Sequence, residues 1–162
     1  MVRVEPYGEY MVCFSGEDVT AAEDLFEITA PSDAVVVIHK IEWAQSGASQ
    51  TDEILAHSFK RYTSDSTSGS GGSSVTPQST MSSGGVAAGS TAERNNSTQI
   101  TGGTLKQEIL VALNAMRSGS RDLLGRNQIV LSPSERFVWS LNDAPTSTLT
   151  THCSVYFSEI GG

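Results

Sequence analysis

Short apolar runs separated by turn residues follow one another along most of the chain, and in several runs apolar and polar positions alternate. Alternation with a period of two places one set of side chains on each face of an extended strand. The run at 34–43 is the most strongly indicated strand, because Val35, Val36, Val37 and Ile38 are β-branched and suit a sheet better than a helix. The pattern predicts strands at residues 10–14, 25–29, 34–43, 53–62, 129–131, 136–141 and 151–158.

Residues 104–115 fit two patterns, because Leu105, Ile109, Leu113 and Met116 also have helical spacing. We interpret this segment as a strand, since its neighbours along the chain are strands. Seven or eight short strands with almost no helix are typical of an all-β fold, a jelly-roll-like antiparallel β-sandwich. At 162 residues, the chain is expected to form one domain over residues 1–162.

The alternation also predicts which side chains are buried. In residues 136–141 the apolar positions alternate with Arg136, Val138 and Ser140, which predicts one buried and one largely polar face. The predicted core consists of Phe26, Ile28, Val35, Val37, Trp139, Leu141, Val155 and Phe157. Cys13 and Cys153 are expected to be free thiols, although a bridge stays open if the first and last strands pair.

The segment at 63–101 interrupts this strand pattern, because about half of it is Ser or Thr and much of the rest is Gly. Such a composition has little apolar surface to offset its ordering entropy. Long loops inside compact domains are uncommon unless they are functional or disordered. We predict a long ordered loop within the domain, held by contacts between subunits, because its backbone groups can pair with neighbouring backbone at low steric cost.

Charge and hydropathy exclude several partners. The net charge is −8 and the isoelectric point about 4.7, without a run of Lys and Arg, which argues against nucleic-acid binding. No window approaches the ~20 apolar residues of a membrane span, and residues 1–10 lack the apolar run of a signal peptide. We expect synthesis in a cytoplasm and no membrane partner.

Signatures of catalysis are missing from the sequence. No Ser lies in Gly-x-Ser-x-Gly, and the glycines at 69–72 lack the Gly-Lys-Ser/Thr of a phosphate-binding loop. His39, His57 and His152 contain no His-x-His pair of the kind that begins cupin-type metal sites. We therefore expect no enzymatic turnover, no cofactor and no metal. Three acidic pairs are interpreted as solvated loop charges: Glu17–Asp18, Glu23–Asp24 and Asp52–Glu53.

Six aromatic residues leave a carbohydrate-binding platform open as an alternative: Tyr7, Tyr10, Trp43, Tyr62, Trp139 and Tyr156. Core packing is the favoured interpretation for Trp43 and Trp139, because both fall on the apolar phase of their strands.

Several stretches resemble, in order, a group of small virion proteins of tailed bacteriophages: residues 24–39, 67–72, 95–99, 131–134 and 155–161. The resemblance covers most of the chain from Leu25 onward. The chain departs from the group at 109–114, where Ile-Leu-Val-Ala-Leu-Asn stands and a Trp would be expected.

The resemblance implies a structural virion protein, and a capsid decoration or cement protein on the outer surface of the phage head fits best. Its partners would then be the major capsid protein and itself, as a homotrimer by analogy with decoration proteins. The alternatives are a tail or neck component and a carbohydrate-binding host-recognition module. The candidate interface residues are Ser68, Gly69, Ser70, Gly71, Gly72, Asn95 and Asn96.

Overall fold

The computed structural model describes residues 8–46, 52–81, 85–115 and 117–161, and its regular structure is β apart from one 3₁₀ turn. The strands are β1 (Gly8–Val19), β2 (Asp24–Thr29), β3 (Ala34–Ser46), β4 (Ile54–Tyr62), β5 (Ser66–Thr67), β6 (Ser73–Val75), β7 (Gln78–Ser79), β8 (Thr91–Asn96), β9 (Thr101–Gly102), β10 (Leu105–Asn114), β11 (Gly119–Asp122), β12 (Ile129–Leu131), β13 (Arg136–Leu141) and β14 (Leu149–Gly161). The 3₁₀ turn is Gly125–Asn127. Within these ranges no helix is long and apolar enough to span a membrane. The strand predicted at 104–115 is confirmed as β10.

Two six-stranded sheets contain most of these strands. The first sheet has the order β11-β3-β14-β1-β7, with β12 also pairing with β3. The second sheet has the order β10-β4-β13-β2-β8-β6, and β5 pairs separately with β9. All pairings between named strands are antiparallel.

The strand order is that of a jelly roll, which confirms the predicted fold class. Antiparallel pairs nest as in one long folded hairpin: β1 with β14, β2 with β13, β3 with β11 and β12, and β4 with β10. Along the chain, β1 and β3 enter the first sheet while β2 and β4 enter the second. This alternation places the apolar faces of the two sheets against each other around one core.

The core is built around Trp139, which is fully buried on β13. Its ring centroid lies 5.9 Å from that of Phe59, 5.8 Å from that of His57 and 6.4 Å from that of Trp43. Six predicted core residues are confirmed: Phe26, Ile28, Trp139, Leu141, Val155 and Phe157.

Of the two predicted core residues on β3, Val35 is wrong, because it is half-buried, and Val37 is buried but lies outside the main core cluster. Their neighbours Val36 and Ile38 are fully buried in that cluster. The register shifts between Ile38 and Lys40 opposite β14, so that His39 bulges out and Ile41 returns to the core. An unbroken β-branched run carries no alternation, so its register could not be predicted from the pattern.

The predicted polar face of β13 is also wrong, because both of its faces are buried. Val138 and Ser140 are as fully buried as Trp139. This strand is central in the second sheet, and part of the 63–101 segment covers its outer face. Alternation of apolar and polar residues predicts a solvated face only where no other segment of the chain packs over that face.

The first and last strands do pair, but the two cysteines remain free thiols. Cys13 stands opposite Ser154, and Cys153 stands opposite Phe14. Since adjacent positions on a strand point to opposite faces, Cys13 is exposed while Cys153 is buried.

Candidate assembly surface

Residues 63–101, which we call the insertion, lie between β4 and β10 and contain β5 to β8 where a long loop was predicted. A hydrogen bond of 3.1 Å from the Thr63 amide to the Thr104 carbonyl joins the start of the insertion to the chain just beyond its end. Strands β8 and β6 extend the second sheet beyond β2, and β7 extends the first sheet beyond β1. The insertion thus covers one side of the sandwich.

The structure brings the seven predicted interface residues together, and we call them the Ser/Gly/Asn cluster. Ser70 and Thr98 exchange two backbone hydrogen bonds of 3.0 Å. The Ser68 hydroxyl and the Asn96 amide both donate to Oε2 of Glu93, each at 3.1 Å. Two stretches separated by more than twenty residues therefore form one surface element.

Glycine is required in this cluster for steric reasons. Gly71 has a φ of +88°, in the left-handed region that glycine adopts without strain. A Cβ on Gly72 would stand 2.1 Å from the carbonyl oxygen of Arg94, so no side chain fits there. Ser70, Gly71 and Gly72 are exposed, which gives the cluster an uncharged outer ridge above the buried Asn96.

Two buried carboxylates on β2 hold this part of the insertion in place. Oδ2 of Asp24 accepts a hydrogen bond from the Ile100 amide and Oδ1 accepts one from the Ser140 hydroxyl, both at 2.6 Å. Glu27 accepts from the Gly69 amide at 3.1 Å and forms an ion pair with Arg136 at 3.3 Å. A register shift at Leu25 opposite β13 puts both carboxylates on the outer face of the sheet.

Burial is the main influence on these two carboxylates. It raises the pKa of Asp24, and the hydrogen bonds from Ser140 and Ile100 offset part of that rise. It also raises the pKa of Glu27, against hydrogen bonds from the insertion and the charge of Arg136. Arg136 in turn donates to the carbonyl and hydroxyl of Ser66, where the insertion begins its course over the sheet.

A third carboxylate, Glu159 on β14, anchors the far end of the insertion. It accepts hydrogen bonds from the Gly89 amide at 2.9 Å, from the Ser90 amide at 2.8 Å and from the Ser90 hydroxyl. Contacts within the chain therefore hold the insertion at several points. The prediction that neighbouring subunits also hold it stays a prediction.

The interpretation of Glu23–Asp24 as solvated loop charges is wrong, since both are buried. Oε1 of Glu23 is buried without a hydrogen-bond partner. Burial, with the charges of Asp24 and Glu17 adding to it, raises the pKa of Glu23 to about 7. Burial of these carboxylates could have been inferred from two features of the sequence: an acidic residue next to an apolar strand pattern, and a Ser/Gly-rich segment whose backbone amides needed hydrogen-bond acceptors.

The three histidines lie in different places. His57 is in the core, where its Nδ1 accepts a hydrogen bond from Nε1 of Trp139 at 3.2 Å, and burial lowers its pKa to about 4. His39 bonds to Ser158 and His152 to Ser46. In the described part of the chain, no three metal-ligating side chains cluster.

The six aromatic residues of the proposed sugar platform do not share one surface. Trp139 and Tyr10 are buried, and Trp43 is half-buried against the core, which confirms core packing for both tryptophans. Tyr62 lies in the second sheet and Tyr156 in the first. Tyr7 is outside the described residues.

A second surface was not predicted from the sequence: the edge of β10 that pairs with no other described strand. This strand is at the end of the second sheet and pairs with β4 on one side. Leu110 on β10 is 69% exposed and Ile54 on β4 is 70% exposed. We call this surface the β10 edge.

Comparison with known proteins adds little to this description. No family model and no curated protein matches the chain. Two solved structures were found, "Structure of infectious bursal disease virus Gt strain" (11% identity, TM-score 0.19) and "Crystal structure of infectious bursal disease virus VP2 subviral particle" (12% identity, TM-score 0.14). Each alignment covers 95% of this chain and 40% of the other, so this chain spans less than half of their length. At these TM-scores the matches support no argument about this protein.

Proposed function

We propose that the protein is a structural virion component, a decoration or cement protein that binds the outer surface of a tailed-phage head without catalytic turnover. The observation that carries this proposal is the insertion, because buried carboxylates of β2 hold it at the surface: Glu27 binds Gly69 of the Ser/Gly/Asn cluster, and Asp24 binds the nearby Ile100 amide. A surface held in advance pays less ordering entropy when it binds a partner.

The chemistry of the ridge suits contact with another protein. Residues 70–74 are exposed, uncharged and small, so their backbone donors and acceptors can approach a shallow surface closely. The acidic net charge of −8 suits a position away from packaged DNA. The proposed partner is the major capsid protein, and three copies around a local threefold axis would strengthen a weak individual contact through avidity.

Counting the copies of this chain per virion against the major capsid protein, by quantitative mass spectrometry, tests the location. Decoration requires a number comparable to that of capsid subunits. A handful of copies would contradict the proposal and indicate a tail or neck component instead.

Add-back to particles lacking the protein tests the surface. We expect the wild-type protein to raise the temperature at which heads release DNA, and Ser70→Arg on the ridge to bind less well. Thr148→Arg is the matched control, because Thr148 is also exposed but lies in the loop before β14. Equal binding of both variants would argue against the cluster as the contact surface, and glycan binding in its place would favour the host-recognition alternative.

A further inference from the structure

The β10 edge differs from the other side of the sandwich in how it is protected. On that other side, the sheets end in β6 and β7, which have three and two residues. Natural proteins blunt sheet edges with short strands, bulges and lysines, because an open edge pairs readily with another chain. Strand β10 has ten residues, and only its start carries such devices: the register shifts between Leu105 and Gln107, which leaves Lys106 outside the ladder.

Beyond this bulge, the strand offers a regular apolar edge. Ile109, Val111 and Leu113 are half-buried and pack against the core. Leu110 and Ala112 are exposed on the opposite face, where they stand opposite Ser58 and Ala56 of β4. Residues 109–113 carry no charge. In a protein of net charge −8, such an uncharged strip is where two copies can approach with least repulsion.

We propose that β10 pairs antiparallel with β10 of a second copy about a twofold axis at Leu110, which joins two second sheets into one continuous sheet. An isologous contact of this kind uses the same patch on both copies. It goes beyond the proposed function, since it is a separate contact from the threefold one and does not depend on it.

Charge and the bulge exclude the registers centred on residues 107 and 108, and the exposure of Leu110 favours it at the axis over the half-buried Ile109 and Val111. Directly opposed residues of two paired strands point to the same face of the sheet. The next allowed register about a twofold axis therefore moves the centre of the pairing by one residue. Centring on Glu108 would oppose like charges, and centring on Gln107 would place the bulge in the ladder. Centring on Leu110 pairs Ile109 with Val111 of the second copy and Glu108 with Ala112 of the second copy, and keeps Lys106 outside the apolar run.

Sedimentation equilibrium over a range of concentrations measures self-association of the wild type and of Leu110→Lys. This substitution would place two ammonium groups opposite each other at the axis. We expect the association constant to fall at least ~10-fold, since opposed like charges destabilise a pair and the Leu–Leu contact is lost. Leu124→Lys is the matched control, because Leu124 is 64% exposed outside β10 and should associate like the wild type. Identical association of the wild type and Leu110→Lys would overturn the proposal.

Disulfide trapping gives an independent measurement. Directly opposed residues have Cβ atoms about 4.5–5.5 Å apart, and a disulfide spans about 3.5–4.5 Å, so a small adjustment of the two edge strands allows Leu110→Cys to form a dimer across the axis on mild oxidation. The background is Cys13→Ser, which removes the exposed native thiol. Leu124→Cys should give no comparable dimer. Absence of a Leu110→Cys dimer would contradict the proposal. Loss of head binding in Leu110→Lys, without any self-association of the wild type, would also contradict it and would assign the edge to a strand of another protein.

The two proposals fail separately. A trimer that persists in Leu110→Lys would leave the threefold contact intact, and a dimer trapped at Leu110→Cys without trimers would leave only the β10 contact.

Discussion

The carboxylate of Glu159 anchors the insertion in a way that a neutral amide cannot reproduce, so Glu159→Gln should loosen the chain around Gly89 and Ser90. Oε1 accepts the amide and hydroxyl of Ser90, and Oε2 accepts the amide of Gly89. Gln has one oxygen in place of two. Whichever way its amide turns, an NH₂ group faces a backbone N–H and one amide loses its acceptor.

The size of the effect follows from these contacts. A hydrogen bond to a charged group contributes about 1.5–3 kcal/mol, and the bonds that remain become weaker because the acceptor is neutral. Relief from burying a charge offsets part of this loss. We expect a net local cost of about 2 kcal/mol, which corresponds to a ~30-fold larger opening constant.

Native-state hydrogen exchange resolves this local effect. The Gly89 and Ser90 amides should exchange ~30-fold faster in Glu159→Gln, while amides of the central strand β13 keep their rates. Glu108→Gln is the control, because it makes the same chemical change at an exposed position on β10. Unchanged exchange at Gly89 and Ser90 in Glu159→Gln would refute the anchoring role of this carboxylate.

The remaining predictions concern the core, the cluster and pH. Trp139→Ala should lower the free energy of unfolding by about 3–5 kcal/mol in denaturant titrations, and a wild-type midpoint would contradict its central place in the core. Gly72→Ala should cost about 1–3 kcal/mol in thermal unfolding, because its Cβ would displace the Arg94 carbonyl, whereas exposed Ser74→Ala should be near neutral. The pKa of His57 is about 4 in the folded chain and 6.5 in the unfolded chain, so between these pH values only the unfolded chain binds the proton. Lowering the pH through this range should therefore reduce the free energy of unfolding by up to about 3 kcal/mol. Glu23 acts in the opposite direction, because its pKa is about 7 in the folded chain and 4.5 in the unfolded chain. Between these pH values the folded chain holds the proton that the unfolded chain has lost, so the free energy of unfolding falls as the pH rises. Glu23→Gln should therefore melt higher than the wild type at pH 8 and equally at pH 4; a lower melting temperature at pH 8 would contradict this.

The positions of the longer strands and the fold class could be predicted from local pattern alone, whereas the short strands β5 to β9 and β11 could not. The alternation at 151–158 and the β-branched run at 34–43 are properties of consecutive residues, and the strands they indicate are β14 and β3. The Ser/Gly/Asn cluster was likewise signalled by composition, because small and flexible residues concentrate where the backbone approaches other backbone closely.

Tertiary structure alone decided which faces are buried and what holds the insertion. The bulge at His39 and the shift at Leu25 change the inward set of β3 and β2, and both arise from pairing with strands more than one hundred residues away. Asp24, Glu27 and Glu159 become anchors because they meet amides 42 to 76 positions distant. Periodicity reports on neighbours along the chain, whereas burial of a charge depends on what packs over it. The β10 edge, too, emerges only from the order in which the strands assemble.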